Sequence, residues 1–195
     1  MDLDSNSTLE ALWWRQGLRV AGIDEAGRGA LAGPVVAAAV ILPPGNYPFR
    51  DSKTLSPKQR TELAQRIREE ALAWSLGWST HDEIDALGIL AATLRAAERA
   101  LAQLVPPPHL LLTDYLRLHI PIELYAPPKA DRDSLTVAAA SILAKVARDE
   151  HMIAMEARFP GYGFSRHKGY PTQAHREALA RLGPSPIHRR RFRWA

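Results

Sequence analysis

The sequence predicts an α/β fold, with helices packed on both faces of a mixed central sheet to make three layers. Three features carry this expectation. Short runs rich in Val, Ala and Leu alternate with longer segments whose apolar residues recur at helical spacing, and Gly and Pro clusters separate the two kinds. The chain has 195 residues, 46% hydrophobic and 24% charged, enough for one sizeable core but not for two full domains.

Arg19–Asp24 reads as an apolar strand running into Gly27-Arg28-Gly29, and Val35–Leu42 as a second, buried strand. Two early strands joined through a Gly-rich turn suggest an edge of the sheet. Pro43-Pro44-Gly45 ends the second strand, and Ser56-Pro57 opens a helix to about Glu70, with Ser56 as N-cap and Pro57 at the first helical position. Ala71–Thr80 alternates as a strand does, and Ile89–Leu104 has helical spacing. Beyond the stiff Pro106-Pro107-Pro108 connector, Leu110–Thr113 makes a brief buried strand that ends at Asp114, and Ile120–Tyr125 makes another. A long helix runs from Val137 to about Arg158, capped by Asp133 or Ser134. Pro160-Gly161-Tyr162-Gly163 stops it, Thr172–Leu182 forms the last helix, and Gly183-Pro184-Ser185-Pro186 leads into a basic tail.

No cysteine is present, which excludes disulfides, thiolate catalysis and cysteine-ligated metals. Any metal must be held by oxygen or imidazole. The N-terminal stretch from Met1 to Gly17 carries Asp2, Asp4 and Glu10 and has no signal-peptide core, and the longest apolar run, Val35–Leu42, is too short to span a bilayer. Cytoplasmic residence without membrane association is the expectation. The net charge of +4 is unevenly spread: from Arg166 onward eight Lys/Arg oppose Glu177 alone. With Phe192 and Trp194 interleaved, this segment is either a polyanion-binding surface or a solvated tail.

Four acids stand beside apolar sequence: Asp24 and Glu25 at the end of the first strand, Asp114 at the end of a later one, and Asp131 before the long helix. Strand ends meeting at one side of a sheet bring distant residues together. Adjacent strand residues face opposite ways, so Glu25 joins Asp24 only if the chain has turned there. Clustered carboxylates repel one another unless neutralised, and Mg²⁺ suits a few carboxylates with water and phosphate completing its shell. The alternative assigns these acids to helix caps and surface charge.

Taken together, the motifs closely resemble the ribonuclease HII family. They are Gly22-Ile23-Asp24-Glu25-Ala26-Gly27-Arg28-Gly29, Leu31-Ala32-Gly33-Pro34, Asp51-Ser52-Lys53, the run Ala138 to Val146, Tyr162-Gly163-Phe164, His167-Lys168-Gly169-Tyr170-Pro171 and Pro186-Ile187-His188-Arg189-Arg190. They follow the family's order over nearly the whole chain. The resemblance implies a ribonuclease H-like catalytic core over residues 1–165 and a basic C-terminal helix and tail over 166–195 for substrate binding. It implies a monomeric endonuclease that cleaves RNA–DNA hybrids and duplex DNA 5′ of embedded ribonucleotides, with Mg²⁺ or Mn²⁺, two ions when substrate is bound.

Residue by residue, Asp24, Glu25, Asp114 and Asp131 match the family's metal-site acids, which leaves Asp133 as a helix cap. Gly27, Arg28 and Gly29 match the motif whose backbone meets the ribose; glycines permit close approach to a sugar, and the 2′-OH is what distinguishes RNA from DNA there. Tyr170 matches the tyrosine at the RNA-to-DNA junction. Lys53 matches a phosphate contact, and Ser141 and Lys145 lie one helical turn apart on a substrate-facing side. His167 and His188, beside basic residues, read as solvent-exposed or phosphate-facing.

Three departures from the family pattern stand out. Asp114-Tyr115-Leu116 replaces Asp-Gly-Asn, Lys129-Ala130-Asp131 replaces Lys-Gly-Asp, and Ala30 replaces the proline of Gly-Arg-Gly-Pro. They put in question the backbone around Asp114 and Asp131. Two rival readings are a non-catalytic nucleic-acid-binding module, which would need no metal and against which the intact set of acids argues, and another enzyme of the same fold, such as an integrase, a nuclease of single strands or ribonuclease HIII, the last expected to carry a long extension before the first motif.

Overall fold

A computed structural model describes residues 8–49 and 55–193. The chain forms α1 (Ala11–Arg15), β1 (Val20–Ala26), β2 (Val35–Ile41), α2 (Pro57–Glu70), β3 (Ala73–Ser79), α3 (His81–Leu87) and α4 (Ile89–Leu101). It continues with β4 (Leu110–Thr113), β5 (Glu123–Tyr125), α5 (Ala130–Asp133), α6 (Leu135–Arg158), α7 (Phe164–His167) and α8 (Gln173–Leu182). The sheet order is β3-β2-β1-β4-β5, with β1, β2 and β3 antiparallel and β1, β4 and β5 parallel. The sheet is therefore mixed, as expected, but β1 is its central strand and not an edge: the Gly-rich turn supplies one partner, and β4 takes the other side.

Alternation along the strands assigns the two faces. Val20 and Ala26 of β1 and Ala38 and Val40 of β2 pack against Val137, Ala138, Leu143 and their neighbours on α6, while Ala21, Ile23, Ala37 and Ala39 pack against α4 through Ala92, Ala96 and Ala100. One glycine per face sets the closest approach. A Cβ on Gly22 would lie 2.1 Å from the Thr136 carbonyl carbon, and one on Gly77 would lie 1.9 Å from the Ala96 oxygen. Small residues on both sides let the helices lie almost on the backbone of the sheet.

Local signals account for the helix starts. Ser56 and Gln59 form a reciprocal capping box on α2, with Pro57 following the cap, and Thr80 and Glu83 do the same for the unexpected α3. Ser134, not Asp133, caps α6: its side chain accepts from the Val137 amide, whereas Asp133 lies within α5. Among the described residues no helix is long and apolar enough to cross a membrane.

The C-terminal segment turns back onto the core. Ala32 and His188 form an antiparallel bridge, and the Arg189 amide donates to the Leu31 carbonyl. His188 is buried, which corrects the expectation that it faces solvent or phosphate. A directed hydrogen-bond chain explains its position. The Ser185 amide donates to His188 Nδ1, so His188 Nε2–H donates to His175 Nε2 at 3.0 Å, and His175 Nδ1–H donates to the Tyr170 carbonyl. Burial is the main cause holding His175 and His188 down at about 4, and each neutral ring has its proton where a partner needs it.

The sign of the resulting pH dependence follows from linkage. Unfolded histidines take up protons near pH ~6.5, folded ones only near 4, so this stability is complete above the first value and is lost as pH falls toward the second. The pair is expected to lose roughly 3 kcal/mol between pH 7 and 4.5. Urea midpoints across that range should show a steeper decline for the protein than for its His188→Asn variant; parallel curves would remove the histidines as the cause.

Candidate active site

The acids converge because of where the parallel ladder stops. β4 pairs with β1 only from Val20↔Leu110 to Ile23↔Thr113. One residue further on, Asp24 and Asp114 follow the last pair on neighbouring strands, and β1 continues with no β4 residue beside it. Asp24 and Glu25 both lie within β1, so the expected turn between them is absent. They nevertheless open into one cavity of about 390 Å³, because it lies across the sheet end and receives side chains from both faces.

Asp114 also builds the element that carries the fourth acid. Its Oδ1 accepts from the Lys129 amide at 2.7 Å and the Ala130 amide at 3.3 Å, tying the start of α5 to the end of β4. Asp131 sits in that single turn, 4% exposed, and its charge acts on Asp24. The departures from the family pattern are accommodated unequally. Tyr115 takes a left-handed φ of 63° with its side chain in solvent, a conformation that suits glycine better, whereas Ala130 is helical and buried, the left-handed residue there being Lys129.

Asp24 is the electrostatic centre. Burial, then the Glu25 charge, then that of Asp131, push its carboxyl up to about 8, against a hydrogen bond from Ser141 and one from the Glu25 amide at 2.8 Å. Glu25 is paired with Arg28, 3.1 Å from Nη1. No basic side chain is among the groups that act on the Asp24 carboxyl, although Arg28, Arg60 and Lys145 line the same cavity. Its acidic donors are carboxylate oxygens, the type that hard divalent cations take, although among the described residues no three His, Cys, Asp or Glu side chains are placed to hold a metal ion together. Mg²⁺ commonly binds through one or two carboxylates with water and phosphate, so this donor set fits such an ion.

Gly27, Arg28 and Gly29 line the cavity, as do Ser141, Lys145 and Tyr170. Gly27 (φ 99°) has an internal reason to be glycine: a Cβ there would lie 2.0 Å from Nε of Arg148. Nothing of the protein lies within 4 Å of a Cβ on Gly29, so the lining there is open to an approaching molecule. Lys145 is held by Asp149 at 2.8 Å and sits 5.1 Å from the centre of the Tyr170 ring. Lys53 lies outside the described residues.

Two further groups at the site have no signature in the sequence. Arg60 of α2 lines the same cavity, one of four basic residues on a largely polar helix, with no pattern to set it apart from Lys58, Arg66 and Arg68. Arg148 and Arg189 are fully buried, and their guanidinium groups donate to the Arg28, Ala32, Gly33 and Pro34 carbonyls of the loop that follows Gly27, with one further bond from Arg148 to the Lys168 carbonyl. Arg189 therefore does internal work, unlike a phosphate contact in a solvated tail. Burial and the neighbouring Arg148 charge pull it down to about 9, which leaves it charged at neutral pH.

Comparison with known proteins agrees with this architecture. The family model for ribonuclease HII matches residues 21–195. A ribonuclease HII of Thermus thermophilus is 63% identical over 184 residues, covering 94% of this chain and 91% of that one, and a ribonuclease HII of Moorella thermoacetica is 54% identical, covering 92% and 89%. Among solved structures, the ribonuclease H2 of Pyrococcus horikoshii OT3 superposes with a TM-score of 0.77 at 27% identity, covering 91% of this chain and 95% of that one. The chain belongs to the ribonuclease HII family, endonucleolytic hydrolases with ribonuclease H activity.

Proposed function

We propose that the enzyme hydrolyses the RNA strand of RNA–DNA hybrids and cuts duplex DNA 5′ of embedded ribonucleotides, leaving 3′-hydroxyl and 5′-phosphate ends. The observation that carries this reading is one cavity lined by Asp24, Glu25 and Asp114 together with the Gly27–Gly29 segment and Tyr170. Asp24, Glu25, Asp114 and Asp131 would hold two Mg²⁺ or Mn²⁺ ions once substrate phosphate contributes to their shells. Such ions supply Lewis acidity and neutralise charge in an in-line displacement at phosphorus. Ser141 and the Glu25 amide orient Asp24, and Arg28 holds Glu25.

Selectivity rests on the neutral parts of the site. The Gly27–Gly29 backbone offers main-chain groups to a ribose 2′-OH, and Tyr170 packs at the junction with the following deoxyribonucleotide. Lys53, Lys145 and the exposed basic groups of residues 166–195 attract phosphates, so affinity falls with salt. This activity suits ribonucleotide removal and RNA primer removal by a cytoplasmic monomer.

The test is a DNA duplex with one ribonucleotide, incubated with and without Mg²⁺ or Mn²⁺. Cleavage is expected only with the ion, at the 5′ side of the ribonucleotide, and not in an all-DNA control. Equal cutting of that control would refute ribose selectivity. Tyr170→Ala is expected to lower junction preference about tenfold, in the range of one base-stacking contact; unchanged preference would remove the role given to that ring.

A further inference from the structure

We infer that Arg148 is a positioning residue that joins the ribose-facing loop and the junction tyrosine into one rigid recognition unit. The inference rests on the assignment of Gly27–Gly29 and Tyr170 made above. It starts from one face of α6, where Ser141, Lys145 and Arg148 recur at helical spacing. Ser141 reaches Asp24, Lys145 lines the acid cavity, and Arg148 lies behind both recognition segments.

Arg148 is fully buried, and the bonds of its side chain go to two different loops. Nε donates to the Pro34 carbonyl at 2.9 Å and Nη2 to that of Ala32 at 3.1 Å, while Nη1 donates to the Lys168 carbonyl at 3.0 Å. The guanidinium also lies 5.1 Å from the centre of the Tyr170 ring, and its Nε occupies the space that a Cβ on Gly27 would need. The loops meet directly as well: the Leu31 amide donates to the Gly169 carbonyl at 2.8 Å, and a Cβ on Gly169 would lie 2.6 Å from the Ala32 oxygen.

A buried charge is costly, and an apolar side chain would fill this volume at lower cost. What an apolar residue cannot do is bind three carbonyls from two segments in a fixed plane while stacking on an aromatic ring; lysine, with a point charge, cannot do it either. Arg148 therefore fixes the separation between the wall that meets the ribose and the ring that meets the next sugar.

The test uses Arg148→Lys in the full chain with two substrates, a single embedded ribonucleotide and a continuous RNA–DNA hybrid. Incision at the single ribonucleotide is expected to fall at least about tenfold more than hybrid cleavage, chiefly in kcat, since small misplacements cost up to about a hundredfold. Amide hydrogen exchange is expected to quicken in residues 28–33 and 168–170 together. Ile67→Val, which loosens the core elsewhere, should change neither the ratio nor these amides. Parallel loss on both substrates, or faster exchange in one loop alone, would overturn the inference.

Gly27→Ala provides a second route if Arg148→Lys does not fold. It drives a methyl group into the guanidinium without touching the Tyr170 loop, so faster exchange must spread to 168–170; confinement to 27–33 overturns the inference. Wild-type protein that cleaves hybrid but not the embedded ribonucleotide would refute the proposed function, and the exchange measurements would still decide the coupling.

Discussion

Replacing Asp24 by asparagine is expected to abolish cleavage while making the metal-free protein harder to unfold. Both effects come from the same carboxyl. In the native protein it is pushed up to about 8 by burial and by the charges of Glu25 and Asp131, against an ordinary value of 3.8 in the unfolded chain. An acid raised in this way costs stability as pH climbs from the unfolded value toward the folded one, and the penalty is complete above it. Discounted for solvent access through the cavity mouth, the cost near pH 7.5 is ~2 kcal/mol. Asparagine keeps the oxygen that accepts from the Glu25 amide but carries no charge. Its urea midpoint in the presence of a chelator should therefore rise, whereas Mg²⁺ should stabilise the wild type and not the variant. Activity should fall about a thousandfold or more, equivalent to ~4 kcal/mol of lost transition-state stabilisation. A variant that cleaves at the wild-type rate would remove Asp24 from the chemistry, and one that unfolds more easily would contradict the electrostatic account. The non-catalytic rival expects no cleavage to lose, no need for Mg²⁺ and unchanged nucleic-acid binding in the variant.

Elements with a period were legible in the sequence, and those made by a single long-range contact were not. β1, β2, α2, α4 and α6 carry apolar repeats or caps, and their expected cores match the structure apart from end residues. α5 is one turn, Ala-Asp-Arg-Asp, with no apolar repeat; it exists because Asp114 accepts from the amides of Lys129 and Ala130. β5 is three residues long because only Glu123–Tyr125 pair with β4, although Ile120 and Ile122 suggested an earlier start. The acids at strand ends were visible as charges beside apolar runs. Their convergence depends on the register Ile23↔Thr113, which no local pattern encodes.

Arg189 shows the same limit for charge. In sequence it belongs to a run of basic residues and reads as part of either a polyanion-binding surface or a solvated tail. In the structure its hydrogen-bond partners, Arg28, Gly33 and Pro34, lie more than 150 residues earlier, and three carbonyls substitute for water around its guanidinium. Arg190 and Arg191, its neighbours, place their backbone amides on Asp85 and remain exposed. Composition locates a basic segment but not which of its members are inside.

Gly22→Ala is expected to cost the protein more stability than any other single methyl group added on the α6 face, and more activity than that stability loss explains. The added Cβ would meet the Thr136 carbonyl carbon at 2.1 Å, the Val137 amide nitrogen at 2.3 Å and the Thr136 oxygen at 2.4 Å. All three are backbone atoms in the first turn of α6, so no rotamer change relieves the clash and the helix itself must retreat from β1. Overpacking costs about 1–3 kcal/mol where side chains can give way, and here the expected loss is ~3 kcal/mol or greater. The retreat also has a direction. β1 carries Asp24 and Glu25, while α6 carries Ser141, Lys145 and Arg148, and α5 with Asp131 is joined to its start at Ser134. Moving α6 outward lengthens the Ser141–Asp24 hydrogen bond and separates Asp131 from the other acids. At a temperature and denaturant concentration where the variant is fully folded by circular dichroism, cleavage should still be reduced at least about tenfold, because a displacement near 1 Å is enough to misalign a reacting group. Folded variant with wild-type kcat would mean that the carboxylate cavity tolerates a shift of its main supporting helix, and that Gly22 serves packing alone.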